Sequence, residues 1–307
     1  MEDSPAELHV VTGAFGYSGR YIARTLLEQG KRVRTLTKHA GRLDPFGSSI
    51  DISPLAFDEP SALVESLRGA SVLYNTYWVR FERGAVTFDE AVSNSRILID
   101  AAREAGVGRL VHISVTQPSE ESPYPYFRGK AAVERVVSES GLPYAMLRPA
   151  LLFGREDILI NNIAWLLRRL PVFGVFGTGG YLVQPAYVGD VAGLAVALGA
   201  TRENVIVDAV GPETYTFLEL VLLLRERVRS RSRIIHVPPA AALAVGRVIG
   251  RAMRDVVITR DEIGGLMANL LVSGKPPTCA TRFSDWVTEN AGALGRAYAS
   301  ELARHFR

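Results

Sequence analysis

Apolar residues in the first half of the chain come in short runs separated by helical patterns. The first run, Leu8-His9-Val10-Val11, is β-branched and mostly apolar, as in a strand buried on both faces of a parallel sheet. Gly13, Gly16 and Gly19 follow at three-residue spacing, and then Tyr21, Ile22, Leu26 and Leu27 recur every three to four positions until Gln29-Gly30 closes the pattern. This predicts a strand, a tight glycine loop and a helix.

The same alternation continues. Strands are predicted at Arg32 to Thr37, Ile52 to Phe57, Ala70 to Tyr74 and Arg109 to Val115, with a sixth strand ending just before Pro149. Helices are predicted over Phe88 to Ala105, ending at Gly106, and from Tyr126 to near Ser140, after a proline-broken loop at Pro118 to Pro125. Beyond Gly154 the pattern gives a helix around Ile158 to Leu170, and the stretch PVFGVFGTGG reads as a glycine-rich loop forming part of a pocket lid. A helix from Thr216 carries Leu218, Leu220, Val221, Leu222, Leu223 and Leu224, apolar on nearly every side and so expected to be buried. The fold class expected is α/β, a doubly wound parallel sheet with a small C-terminal substrate lobe. The expected division is a nucleotide-binding domain at 1–155, rejoined by 181–210, and a lobe made of 156–180 and 211–307.

At 307 residues there is room for one large α/β domain and an added lobe. Lys plus Arg exceed Asp plus Glu by 35 − 32 = 3, with the basic residues scattered, so nucleic acid is not an expected partner; the densest cluster, Arg225 to Arg233, reads as a solvated helix end. Val191 to Ala200 and Ala240 to Gly250 fall short of the roughly 18 apolar residues of a membrane span and read as buried helices. The acidic, polar start MEDSPAELHV does not read as a signal peptide, and the single cysteine, Cys279, excludes an internal disulfide; both fit a cytoplasmic setting. The five histidines lack metal-ligand spacing, so no metal is expected.

The glycine loop carries the first candidate chemistry. One glycine permits a tight turn, one lets a pyrophosphate approach the backbone, and one lets the helix pack closely; the helix N-terminus adds free N–H groups and partial positive charge. Gly13, Phe15, Gly16, Tyr17, Ser18 and Gly19 are therefore candidate cofactor contacts. Where an NAD site would offer a carboxylate to the adenosine ribose, this chain has Thr37, Lys38 and His39. A cation there pairs with a 2′-phosphate, which favours NADP(H) over NAD(H), although Lys38 also reads as a plain loop lysine. Asp58 is placed either to reach the adenine amine or to cap the next helix. Asn75 and Thr76 fall at the C-terminal end of the fourth strand, where ligands sit in open α/β sheets, and Tyr77 and Trp78 after them either wall a pocket or only pack.

The second candidate is Tyr126 and Lys130, four residues apart in YFRGK and so on one helical face. A phenol titrates near pH 10, and a neighbouring ammonium favours phenolate and lowers that value. Lys130 would thus tune Tyr126 as an acid/base and hold a nicotinamide ribose, while Ser114 or Thr116 holds the substrate oxygen. Arg148 and Arg155 read as structural, and Phe173, Phe176, Tyr181 and Met267 as either pocket wall or core.

Through TGAFGYSG at 12–19, YFRGK at 126–130, LPYAMLRPALLFG at 142–154 and VQPAYVGDVA at 183–192, the chain resembles the short-chain dehydrogenase/reductase superfamily in its extended or atypical branch. RPALLFGRED, VGPETYTFLEL and TRDEIGGL are most similar to the branch around the NAD(P)-binding accessory subunit of respiratory complex I and its epimerase-like bacterial relatives. The resemblance implies a Rossmann domain binding NAD(P), Tyr126 and Lys130 as the catalytic pair, and Pro149, Leu151 and Leu152 against the nicotinamide. It also implies Asp190 as a structural cap, a small-molecule substrate and a homodimer built from the helices around the fifth and sixth strands. The family's second strand-end hydroxyl falls at Val115 here, and neighbours on a strand face opposite sides, so catalysis would need a bend or another donor such as Thr76 or Gln117. The expected function is an NADP(H)-dependent oxidoreductase. Its alternatives are a regulatory or assembly protein that holds the nucleotide without turnover, and a sugar-nucleotide epimerase or dehydratase.

Overall fold

A computed structural model describes residues 7–38 and 45–305; His39 lies outside the described residues. In chain order the first elements are β1 (Leu8–Thr12), α1 (Tyr17–Glu28), β2 (Arg32–Thr37), β3 (Asp51–Pro54), α2 (Pro60–Leu67), β4 (Ala70–Asn75), α3 (Phe88–Glu104), β5 (Arg109–Ile113), α4 (Pro125–Glu139) and β6 (Tyr144–Pro149). Then come β7 (Leu151–Phe153), α5 (Leu159–Arg169), β8 (Val172–Phe176), β9 (Leu182–Val183), β10 (Pro185–Tyr187), α6 (Val188–Gly199) and β11 (Val205–Ala209). The chain ends with β12 (Tyr215–Thr216), α7 (Phe217–Arg227), β13 (Arg233–Val237), α8 (Pro239–Met253), α9 (Arg260–Met267), α10 (Phe283–Asn290) and α11 (Glu301–His305).

Contacts divide these into a first unit, Met1–Pro149 with Val188–Ala209, and a second, Ala150–Tyr187 with Val210–Arg307. The first unit is a seven-stranded sheet in the order β11-β6-β5-β4-β1-β2-β3, parallel throughout, which is the doubly wound Rossmann arrangement. Its apolar runs are buried on both faces: Val10, Leu36, Leu73, Leu110 and Met146 meet Leu63, Leu67, Leu98, Ala102, Val133 and Val137 in one core. The order reverses between β1 and β4, and open α/β sheets bind ligands outside the strand ends at such a point. Gly13 and Thr76, the residues just past β1 and β4, therefore lie at the switch point.

The second unit has its own core, in which Phe153, Ile160, Leu167, Val175, Leu220, Leu224, Phe283 and Val287 cluster, and three two-stranded sheets, β10-β7, β12-β9 and β13-β8. Several expectations change here. PVFGVFGTGG is not a loop: Val172–Phe176 forms β8 and pairs in parallel with β13, so its glycine at 174 is an interior strand residue lying opposite Ile235, with the Val237 side chain over it. Residues 181–187, expected with the nucleotide domain, pair instead inside the second unit, as β9 with β12 and β10 with β7. In α7, Phe217, Leu220, Val221 and Leu224 are buried but Leu222 faces solvent. α8 is not a buried helix, since Val245 and Val248 are 57% and 63% exposed. It seats through glycine: a Cβ on Gly246 would meet the Ile258 side chain at 2.9 Å, and one on Gly250 would meet the Asp255 carbonyl oxygen at 2.6 Å. Among the described residues no helix is long and apolar enough to cross a membrane.

Candidate functional site

The loop after β1 is fixed by the backbone of its neighbours. Gly13 sits at φ +67°, where an L side chain is strained; its N–H donates to the Leu36 carbonyl at 2.9 Å, and the Ala14 N–H donates to Thr35 Oγ1 at 3.0 Å. Gly16 donates to the Gly13 carbonyl at 2.8 Å. A Cβ at Gly19 would press into the Gly13 carbonyl, with that carbonyl's carbon only 2.8 Å away, so only glycine lets α1 start so close to the loop. The N-cap of α1 is Gly16, with no side-chain cap and no acidic residue in the first turn. The first turn therefore presents a positively polarised end with no acidic side chain against it, and the residues present fit a dinucleotide pyrophosphate. Of the loop side chains Phe15 is buried, while Tyr17 and Ser18 are half-buried on the first turn.

Across the switch point the two strand ends are tied together. Thr76 Oγ1 donates to the Thr12 carbonyl at 2.5 Å, and the Thr76 N–H donates to Thr12 Oγ1 at 2.7 Å. Asn75 is fully buried: its Oδ1 accepts from the Tyr77 N–H at 3.0 Å, and its Nδ2 lies 3.3 Å from His112 Nδ1. Its amide is engaged in shaping the turn that carries Thr76, Tyr77 and Trp78. His112, unremarked in the sequence, is fully buried opposite Asn75 on β5, and burial, reinforced by Lys130, holds its imidazole well below the usual histidine range.

Lys38 is exposed just past β2, with its ammonium 4.9 Å from the centre of the Phe57 ring. Asp58 is exposed as well, and it does not occupy the capping position of α2: that falls at Glu59, and no side-chain cap is made there. β3 ends at Pro54 rather than at Phe57, which leaves Leu55 and Phe57 buried in the link that follows, the Phe57 ring under the Lys38 ammonium.

The Tyr126–Lys130 pair opens α4, with Pro125 in its first turn. Lys130 is 3% exposed; its ammonium donates to the Ile113 carbonyl at 2.8 Å and lies 4.8 Å from the centre of the Trp78 ring. Burial pulls its pKa down to about 7, with Glu134 opposing. Glu134 in turn accepts both arms of the Arg148 guanidinium, at 2.9 and 2.5 Å, which ties α4 to β6. The half-buried Tyr126 ring meets Trp78 and Phe88 edge-on at 6.0 and 5.9 Å.

β5 stops at Ile113, two residues earlier than expected, yet its ladder continues: Ser114 donates its N–H to Leu147 and Thr116 to Pro149, at 2.7 and 3.0 Å. Ser114, Val115 and Thr116 are all buried, and Gln117 at φ +50° then turns the chain away. Ser114 Oγ is buried without a hydrogen-bond partner, the next residue after the carbonyl that holds Lys130. Pro149 is the last residue of β6, whereas Leu151 and Leu152 belong to β7 in the second unit, paired with Pro185 and Ala186. Asp190 lies in the first turn of α6. The first unit thus brings Gly13, Thr12, Asn75 and Thr76 together at the switch point, and Tyr126, Lys130 and Trp78 together at the head of α4.

Residues 13–159 match a family model described as NAD(P)H-binding. The chain is 26% identical to subunit 9 of the mitochondrial NADH dehydrogenase (ubiquinone) 1 alpha subcomplex of Arabidopsis thaliana, over 90% of this chain and 72% of that protein. Among solved structures it is similar to a nucleoside-diphosphate-sugar epimerase from Staphylococcus aureus, with a TM-score of 0.66 and 15% identity over 95% of this chain and 98% of that one. It is also similar to a UDP-glucose 4-epimerase from Thermus thermophilus in complex with NAD, with a TM-score of 0.63 and 20% identity over 86% of this chain and 97% of that one. Residues 13–159 are thus similar to NAD(P)H-binding domains, and over most of its length the chain is similar to a mitochondrial NADH dehydrogenase subunit and shares its fold with sugar-nucleotide epimerases.

Proposed function

We propose that the chain is an NADP(H)-dependent oxidoreductase acting on a small organic carbonyl or alcohol, with Tyr126 as its acid/base. The observation that carries this reading is the buried Lys130 ammonium on the same helical face as Tyr126, at the C-terminal edge of an NAD(P)H-binding sheet. The loop amides at Gly13 to Gly19 would hold the pyrophosphate, Lys38 the 2′-phosphate, and Asp58 the adenine amine, with Thr76 and Pro149 at the strand ends beyond. A bound nicotinamide dinucleotide would supply or accept the hydride. The chain's own residues handle the proton. Tyr126 gives its phenol proton to the substrate oxygen or takes one from it; Lys130, while charged, favours the phenolate; and the Ser114 hydroxyl, which lacks an internal partner, is the candidate donor to that oxygen.

A second reading has a specific observation behind it. Val115 stands where the family places a catalytic hydroxyl, and the relative from Arabidopsis is named as a subunit of a larger complex, which favours a chain that holds the nucleotide without turning over. The sugar-nucleotide epimerase reading rests on the solved structures and requires NAD that stays bound through purification.

One set of measurements separates the three. Titration with NADPH and NADH, followed by nucleotide fluorescence, is expected to give tighter binding of NADPH, and Lys38→Glu is expected to remove that preference through charge repulsion. Tyr126→Phe is expected to abolish turnover with nucleotide affinity unchanged. Binding without turnover in the unsubstituted chain selects the holding role, and co-purified oxidised NAD selects the epimerase.

A further inference from the structure

Gly129 is an unlikely residue on propensity grounds, since glycine inside a helix costs about 1 kcal/mol relative to alanine. Its neighbour explains it. A Cβ there would stand 2.7 Å from Trp78 Cη2 and 3.1 Å from Cζ2, so the indole lies directly on the bare backbone between Tyr126 and Lys130. From that seat the ring meets three site groups: the Lys130 ammonium at 4.8 Å, and the Tyr126 and Phe88 rings at 6.0 and 5.9 Å. The indole N–H is buried and makes no hydrogen bond, so Trp78 is held for its ring face and not for its polar edge. All of these residues lie in the first unit.

We propose that Trp78 is a positioning residue of the site: its ring, seated on Gly129, fixes the Lys130 ammonium beside Tyr126 before any ligand binds. The physical basis is the attraction of a cation to the negative face of an aromatic ring, strongest for tryptophan and strengthened where water is excluded. It deepens the role given to Lys130 above and rests on that reading for its functional meaning. The charged and titratable groups around Lys130 are Tyr126 and Glu134 on α4, His112 on β5, and Arg148 on β6, which reaches it only through Glu134. The segment carrying Trp78 contributes Tyr77, whose phenol is pushed up by burial and is neutral at ordinary pH.

The test reads Lys130 directly. The chain has four lysines, Lys31, Lys38, Lys130 and Lys275, so lysine labelled with carbon-13 at Cε gives four resonances, and Lys130→Met identifies the one of interest. In the full chain without nucleotide, Lys130 is expected to titrate near pH 7. Trp78→Phe keeps an aromatic ring and loses no hydrogen bond, yet offers a weaker face, so the midpoint is expected to fall by about half a pH unit. Gly129→Ala, which leaves Trp78 in place but pushes it off its seat, is expected to shift the same midpoint, with Lys31, Lys38 and Lys275 unmoved as internal controls. An unchanged or raised midpoint in Trp78→Phe, or an unchanged one in Gly129→Ala, overturns the proposal. Its failure is distinguishable from failure of the oxidoreductase reading. If neither NADPH nor NADH binds while the midpoint moves, the function falls and the positioning role stands; if they bind while the midpoint stays, the positioning role falls and the nucleotide-binding part of the reading stands.

Discussion

The two units use their polar groups differently. In the second, the buried Asn162 and Asp255 and the exposed Arg168 close the chain on itself, while the hydroxyls of Tyr181 and Ser232 are buried without a partner. Arg168 donates to the carbonyls of Val228, Ala291 and Leu294, Asn162 bridges to Ala299, and Asp255 accepts from the N–H groups of Glu301 and Leu302 and from the Tyr298 hydroxyl. In the first, Lys130 is buried against a carbonyl and an aromatic ring with its charge only indirectly balanced, His112 keeps an unpartnered Nε2, and Ser114 keeps an unpartnered hydroxyl. A fold gains nothing from such loose ends, because an unsatisfied buried polar group costs about 1–3 kcal/mol. Their gathering at the C-terminal edge of one sheet therefore marks a site maintained at the expense of stability.

Removing the costliest of these groups tests the comparison hardest. Lys130 titrates near 7 in the fold and near 10.5 in its ordinary state, so between those values the unfolded chain holds a proton that the native chain has shed. Stability from this group therefore rises with pH across that window, and below about pH 7 the burial penalty is fully present. Lys130→Met removes the slope. Its stability relative to the unsubstituted chain is expected to be greatest below about pH 7 and to decline by an amount on the order of 4 kcal/mol by about pH 10. Denaturant unfolding at a series of pH values measures it, and parallel curves for the two proteins would mean that Lys130 is not desolvated.

A smaller effect separates the units by function. Gly19 and Gly211 are both sealed by backbone: a Cβ would press on the Gly13 carbonyl in the first unit and on the Pro185 carbonyl in the second. Replacing either by alanine forces the backbone to shift and is expected to cost about 2–3 kcal/mol in thermal or denaturant unfolding. Only Gly19→Ala is expected to weaken NADPH binding as well, by tenfold or more on the order of 1.4 kcal/mol. Equal loss of nucleotide affinity in both variants would break the assignment of the binding loop to the first unit.

The sequence showed the first unit well because its signals are local. Arg32 to Thr37 is a strand at those limits, the three glycines build the turn expected of them, and Tyr126 and Lys130 share a helical face. What it concealed depends on partners far along the chain. His112 looks like one more residue of an apolar strand until β5 is registered against β4, which sets it opposite Asn75. Trp78 gains a role only once Gly129 lies beneath it. Gly174 suggested a loop because its strand partner, Ile235, lies in a segment some 60 residues on. α8 has the composition of a core helix, but its contact face is made by Ala242, Leu243 and the glycine pair, while Val245 and Val248 turn outward. Past Ile113 the ladder of β5 continues through the N–H groups of Ser114 and Thr116, so all three of Ser114, Val115 and Thr116 are buried in strand-like backbone until Gln117 turns the chain away.

The smallest contrast lies in how the units start their helices. Thr87 caps α3 in the first unit by accepting from the Glu90 N–H at 3.0 Å. Thr216 caps α7 in the second by accepting from the Glu219 N–H at 3.2 Å, and Glu219 returns the contact by accepting from the Thr216 N–H at 2.7 Å. The reciprocal box satisfies two orphan donors where the single cap satisfies one. Thr87→Ala is expected to cost about 1 kcal/mol, and Thr216→Ala slightly more, because the alanine also frees the Glu219 carboxylate from the hydroxyl that it accepts from at 2.8 Å. Amide hydrogen exchange over the first turns of α3 and α7 reads the two separately. Neither change alters any group at the switch point, so nucleotide affinity is expected to stay constant in both variants; a loss with Thr87→Ala would mean that α3 helps to hold the Trp78 and Tyr126 rings through Phe88, the residue directly after the cap.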